Sequence, residues 1–121
     1  MIQKITRSIL TGYYNPVKKF VEDPLGTQER TLDYLLRHGR NTLYGKENNF
    51  QSVRDKDSFA ARVPVIDYEE LRPWLDKIIL QEQQDVLWDT PVKSFAMSSG
   101  TTEDKSKYIP VTKESLLNGN Y

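Results

Sequence analysis

The sequence predicts an α+β, helix-rich fold with several short helices and one short two-stranded element. Apolar residues recur at steps of three and four along most of the chain before residue 80, as on one face of a helix. Prolines and capping residues divide this pattern into short segments. Two later runs, residues 92–97 and 108–111, have instead the apolar composition of strands.

The first element is predicted to be an amphipathic helix. Its apolar residues follow helical steps and are Ile2, Ile5, Ile9, Tyr13, Val17, Phe20 and Val21. Asn15-Pro16 should kink or restart this helix, because proline lacks an N–H and crowds the preceding turn. Apolar stripes generally face a core, so we interpret the segment as a packing helix rather than a membrane-surface or partner-binding helix.

A second helix is predicted from Thr27 through Arg37, after a turn at residues 23–26. Thr27 is the expected N-cap and Gly39 the expected left-handed C-cap. His38, the single histidine of the sequence, lies in the last turn, where a cation meets the negative end of the helix dipole. No Ser, Cys or Asp partner is indicated nearby, so we interpret His38 as a capping or surface residue rather than an acid–base residue.

Shorter elements are expected in the middle of the chain. Residues 41–54 read as a short helix or turn and then a loop, and residues 55–62 as a brief helix capped by Asp55 or Asp57. Residues 63–65 should be extended, because the residue before a proline avoids helix.

The acidic cluster Asp67, Glu69 and Glu70 has two interpretations, a helix start or a paired-carboxylate or metal site. Asp67 and Glu70 have the spacing of a capping box, and carboxylates favour a helix N-terminus, so we prefer the helix start. Its apolar stripe is Tyr68, Leu71, Leu75, Ile78 and Ile79. Pro73 should bend or restart this helix.

The two strand candidates flank a loop of about ten residues and could pair as a hairpin, which is marginal in water by itself. Pro110 should mark an edge or a strand end, and a further helix should begin near Thr112. Exposed strand edges and apolar faces lead us to expect self-association.

The loop between the strands carries the chemistry of an anion site. It contains Ser98, Ser99, Gly100, Thr101 and Thr102, and Lys107 follows. Hydroxyls and successive backbone N–H groups bind phosphate, glycine allows close backbone approach, and lysine adds charge. The spacing is not that of a Walker sequence. The motif alone leaves a solvated turn as the other interpretation.

Composition bounds the function. The 121 residues suffice for one small domain, which we expect to span residues 1–121. Lys plus Arg and Asp plus Glu each number 17, so the formal net charge is zero and no overall field attracts nucleic acid. No stretch approaches the ~18 apolar residues of a membrane span, and we expect no membrane partner. The absence of cysteine fits the cytoplasm that we expect.

The loop and its flanks resemble a known family. The loop resembles the phosphate loop of the adenylate-forming superfamily, and with Ile109-Pro110 it resembles the auxin-responsive acyl-acid amido synthetases and their bacterial relatives. Upstream, further matching residues follow in the same order: Tyr44-Gly45, Phe50, Phe59, Arg62-Val63-Pro64-Val65 and Asp67-Tyr68-Glu69-Glu70-Leu71-Arg72-Pro73. The resemblance runs from about the second predicted helix to the end of the chain, and we expect a bacterial-type member.

This resemblance implies an ATP-dependent acid–amine ligase. In such enzymes a carboxylic acid and ATP give an acyl-adenylate, and an amine, usually of an amino acid, then displaces AMP. It further implies that Ser98, Ser99, Gly100, Thr101 and Thr102 contact the phosphates of ATP. It also implies that Lys107 is the charge partner of these phosphates and that Mg²⁺ accompanies the nucleotide.

The resembled enzymes are several times longer than this chain. We therefore expect it to be the N-terminal portion of their large domain, truncated after Tyr121 and inactive by itself. One position departs from the pattern, because plant members usually have a second glycine where this chain has Asp104. The alternative is a non-catalytic helical interaction module that keeps the loop as a structural turn.

Overall fold

The computed structural model describes residues 17–98 and 106–118. Its helices are α1 (residues 17–22), α2 (Pro24–Gly39), α3 (Leu43–Glu47), α4 (Lys56–Arg62), α5 (Tyr68–Ile79) and α6 (Lys113–Asn118). A short 3-10 helix covers Phe50–Ser52, and strands β1 (Ser94–Ser98) and β2 (Lys107–Val111) form one antiparallel sheet. The predicted helix-rich α+β class is confirmed. The backbone divides into two compact units, Met1–Leu35 and Leu36–Tyr121.

In the first unit, α2 begins earlier than the sequence predicts. The Gly26 N–H donates to Asp23 Oδ1 at 3.0 Å, and Pro24 takes the first helical position, where its missing N–H removes no hydrogen bond. The Thr27 hydroxyl donates to the Asp23 carbonyl at 2.7 Å from inside the first turn. The predicted turn at residues 23–26 and the Thr27 N-cap are therefore wrong, because Asp-Pro itself starts the helix.

The packing face predicted for the first helix is not buried in its described part. Val17, Phe20 and Val21 on α1 are 54%, 50% and 71% exposed. The remainder of that predicted helix, with the kink expected at Asn15-Pro16, lies outside the described residues.

The described core lies in the second unit. Leu36, Val53, Leu75, Ile78 and Val86 are its buried apolar side chains. They come from α2, α5 and two connecting segments, so the core joins elements that are distant in sequence.

Two glycines allow α2 and α3 to approach each other closely. A Cβ on Gly45 would overlap the Gly39 carbonyl, and a Cβ on Gly39 would come within 3.0 Å of the Phe50 ring. No described glycine has a positive φ, so the predicted left-handed C-cap at Gly39 is wrong. Gly39 serves close packing instead.

The capping signals of α4 and α5 form as the sequence predicts. The Ser58 N–H donates to Asp55 at 2.8 Å, and the Glu70 N–H donates to Asp67 at 2.9 Å. Both helices have complete capping boxes. Helix α5 continues through Pro73 without a restart.

The predicted hairpin is present, with register pairs from Ser94–Val111 to Ser98–Lys107. The Tyr108 N–H donates to the Tyr68 hydroxyl on α5 at 2.8 Å. This N–H group therefore points away from β1. Paired residues alternate along an antiparallel ladder, so the position of Pro110 also faces outward. A proline is tolerated there because no ladder donor is needed.

Candidate functional site

Two of the six predicted site residues are paired at the end of the hairpin next to the connecting loop. Ser98 ends β1 and lies directly opposite Lys107, the first residue of β2. Directly opposed side chains share one face of a sheet, about 5 Å apart at Cβ. The predicted contacts Ser99, Gly100, Thr101 and Thr102 lie outside the described residues. The structure thus places a serine and a lysine opposite each other at the end of β1 from which the hydroxyl-rich segment continues.

Helix α5 supports this end of the hairpin through Tyr68. The Lys107 Nζ lies 5.5 Å from the centroid of the Tyr68 ring, and the same side chain accepts the hydrogen bond from Tyr108. The sequence analysis assigned Tyr68 only to an apolar stripe. The local sequence gave no signal of this contact, because the partners are 40 residues apart.

The paired groups suit an anion better than a metal ion. A serine hydroxyl and an ammonium both donate hydrogen bonds, and phosphate oxygens accept them. Within residues 17–98 and 106–118, no group of three His, Cys, Asp or Glu side chains could hold a metal ion.

A second polar cluster surrounds His38 and was missed by the sequence analysis. Its Nδ1 lies 2.9 and 3.0 Å from the two Asp89 carboxylate oxygens, and its ring stacks on Trp88 at 4.9 Å. The Thr90 hydroxyl donates to Glu114 on α6 at 3.0 Å. The Glu114 backbone N–H, followed by this hydroxyl, lowers the pKa of the Glu114 carboxyl. His38 lies in the last turn of α2 as predicted, but the expectation that it has no Asp partner is wrong, because Asp89, 51 residues away in sequence, reaches its ring.

None of the described helices is long and apolar enough to cross a membrane.

Comparison with known proteins identifies the family. The sequence model of the GH3 family N-terminal domain matches residues 14–121. The chain is similar to indole-3-acetic acid-amido synthetase GH3.2 of Arabidopsis thaliana, with 33% identity over 102 residues, covering 81% of this chain and 19% of that protein. It is also similar to indole-3-acetic acid-amido synthetase GH3.15 of the same plant, with 32% identity over 114 residues, covering 94% and 18%.

A third relative carries a different name. Jasmonoyl–L-amino acid synthetase JAR4 of Nicotiana attenuata is 29% identical over 87 residues, covering 72% of this chain and 15% of that protein. The chain therefore spans less than a fifth of the length of these curated relatives. All three are plant proteins, and the expected bacterial type stays a prediction. With a family match over residues 14–121, the chain belongs to the GH3 family through its N-terminal domain.

Proposed function

We propose that this chain carries the ATP phosphate-binding loop of an acyl-acid amido synthetase. The proposed phosphate contacts are Ser98, Ser99, Gly100, Thr101 and Thr102, with Lys107 as the charge partner. One observation carries the proposal: Ser98 and Lys107 are cross-strand partners at the end of the hairpin that adjoins this segment. Family membership supports it, because two of the relatives are named indole-3-acetic acid-amido synthetases and the third a jasmonoyl–L-amino acid synthetase.

The proposed role of these residues is to hold the phosphate chain while the α-phosphorus is attacked. A substrate carboxylate forms the acyl-adenylate and releases pyrophosphate, and an amine, such as that of an amino acid, then displaces AMP. Hydroxyl and N–H donors with a fixed ammonium stabilise the negative charge on the leaving phosphates. Mg²⁺ would neutralise phosphate charge, with the ATP phosphates as its expected ligands.

The remaining parts of the reaction are assigned to the parent protein. Because the chain spans less than a fifth of its relatives, we propose that the acid, amine and adenine pockets lie elsewhere in a longer cytoplasmic enzyme. The 121-residue chain should then form no adenylate alone.

Binding of ATP by the full-length protein that carries this chain tests the proposal. We expect Lys107→Met to weaken binding of ATP with Mg²⁺ by about tenfold or more, because it removes a charge-assisted hydrogen bond, and Ser98→Ala to weaken it less. Lys93→Met and Ser94→Ala are matched controls, since Lys93 precedes β1 and Ser94 lies on the same face of β1 at its far end. Calorimetry measures the affinities.

Pyrophosphate exchange with a panel of carboxylic acids tests the reaction class. We expect exchange by the full-length protein and none by the 121-residue chain alone. Exchange by the chain alone would refute its inactivity, and no exchange by the full-length protein with any acid would refute the enzyme class. The interaction-module alternative predicts that Ser99→Ala with Thr101→Ala leaves ATP affinity unchanged.

A further inference from the structure

Tyr68 lies on a helix of the second unit that is capped at its start and buried further along. It is the first residue of α5, directly after the Asp67 N-cap. The Glu70 N–H donates to Asp67, and the Asp67 N–H donates to Glu70 at 3.0 Å. About two and three turns further along, Leu75 and Ile78 anchor the helix in the core, at 1% and 6% exposure. The position of the Tyr68 ring is therefore set by elements other than the hairpin.

The hydroxyl of Tyr68 fixes the backbone of β2 beside Lys107. It accepts the Tyr108 N–H at 2.8 Å, from the side of β2 that faces away from β1. Lys107 and Ser98 form the neighbouring register pair, and alternation makes this a hydrogen-bonded pair. The backbone of Lys107 is thus held toward β1 by the ladder, while the next residue is held toward α5 by Tyr68.

The ring of Tyr68 holds the ammonium of Lys107 without neutralising it. Nζ lies 5.5 Å from the ring centroid, within the range of a cation–π contact. No carboxylate of residues 17–98 or 106–118 lies within ion-pairing distance of this ammonium. A carboxylate partner would cancel the charge that an anion needs, whereas an aromatic face leaves it intact.

We propose that Tyr68 is a positioning residue for polyphosphate binding, acting through Lys107. Its hydroxyl sets the strand and its ring sets the ammonium, so that Lys107 meets the ligand beside Ser98. This inference rests on the proposed function of the loop and adds a residue that lies 39 positions before Lys107 in the sequence.

Substitutions of Tyr68 separate its two contacts in the full-length protein. Tyr68→Phe keeps the ring and should weaken binding of ATP and of inorganic tripolyphosphate by about fivefold, through loss of one hydrogen bond. Tyr68→Leu removes both contacts and should weaken binding by about tenfold or more. Tyr44→Phe is the matched control, because the Tyr44 ring packs on Trp74 and Phe50 in the helical part. Amide exchange of residues 106–111 should be faster in Tyr68→Phe.

A double-substitution cycle distinguishes positioning from general damage. In a Lys107→Met background, Tyr68→Leu should weaken binding no further, because its effect passes through the lysine. Additive losses would overturn the proposal, as would wild-type affinity in both Tyr68 variants while Lys107→Met binds weakly. A wild-type protein that binds neither ATP nor tripolyphosphate would instead refute the proposed function itself. If Tyr68→Leu does not fold, Tyr68→Phe carries the same test.

Discussion

The hydroxyl of Thr42 connects the two closely packed helix ends at the α2–α3 corner. It donates to the Gly39 carbonyl at 2.6 Å and accepts the Gly45 N–H at 3.0 Å. Thr42 is only 1% exposed, so removal of its hydroxyl would leave the Gly45 N–H without this acceptor, whereas the Gly39 carbonyl would still accept the Thr42 N–H at 3.0 Å. This side chain therefore makes hydrogen bonds to a backbone carbonyl at the end of α2 and to a backbone N–H at the start of α3.

We predict that Thr42→Val destabilises the chain by about 1–3 kcal/mol, the cost of leaving the buried Gly45 N–H unsatisfied. Thr42→Ser keeps the hydroxyl and should cost less. Denaturant unfolding monitored by circular dichroism measures both. Equal stability of the valine and serine variants would show that the hydrogen bonds are unimportant.

At this scale the sequence predicted the residues with local roles and missed those with distant partners. Asp67 and Glu70 are three residues apart, and their spacing alone predicts the capping box. His38 and Asp89 are 51 residues apart, and Tyr68 and Tyr108 are 40 apart. Nothing in the local pattern specifies such pairs, because they depend on how the helices pack. Ser98 and Lys107 are opposite each other because the two strands pair, and the local pattern does predict this pairing.

Short helices in this fold depend on their first turns. Helix α4 has seven residues and no buried side chain, so its capping box contributes a large share of its local order. The Ser58 backbone N–H, followed by the Ser58 hydroxyl, lowers the pKa of the Asp55 carboxyl. A carboxyl with a lowered folded-state pKa stabilises the fold above its unfolded pKa, and this contribution is lost as the pH falls through the folded value.

We predict that Asp55→Asn flattens the acid side of the stability profile. Asparagine is a good N-cap but carries no charge, so the variant should lose less stability than the wild type below about pH 4. Asp57→Asn is the control, because it removes a charge in the same turn from a side chain that pairs with Lys56. Thermal unfolding across the acid range measures the effect. Parallel profiles for Asp55→Asn and the wild type would contradict it.

The order and type of the elements were largely predictable, and the two errors have different causes. The hairpin, α4 and α5 follow local signals of strand composition and capping. The start of α2 was missed because Asp-Pro was interpreted as a turn, although the same pair also begins helices. The role of Gly39 was predicted wrongly because a glycine is needed there for close contact with the ring of Phe50, eleven residues away. Its backbone dihedral angles do not require a glycine.

For the molecule as a whole, self-association of the 121-residue chain stays a prediction, and the hairpin suggests its route. Met97 is 66% exposed and pairs with Tyr108. Since the Tyr108 N–H faces outward, the Met97 N–H also faces outward, on the far side of β1. An outward row of backbone groups on β1 is a template for another strand.

We predict that Met97→Pro reduces concentration-dependent association in sedimentation experiments while leaving the hairpin intact. Ala96→Pro should instead disrupt the hairpin, because residue 96 belongs to a hydrogen-bonded pair. Amide exchange of residues 107–111 distinguishes the two variants. A wild-type chain that stays monomeric at high concentration would refute the association.

The contact between His38 and Asp89 has a consequence for how the loop can be studied. The stretch from residue 38 to residue 89 contains Val53, Leu75, Ile78 and Val86, and its two ends touch. Most of the buried apolar side chains of the described residues thus lie in sequence between two residues that contact each other, and both of these residues precede β1. Changes to the serine- and threonine-rich residues 98–102 should therefore alter ligand affinity while sparing the helices, so that the role of each of these side chains can be tested separately.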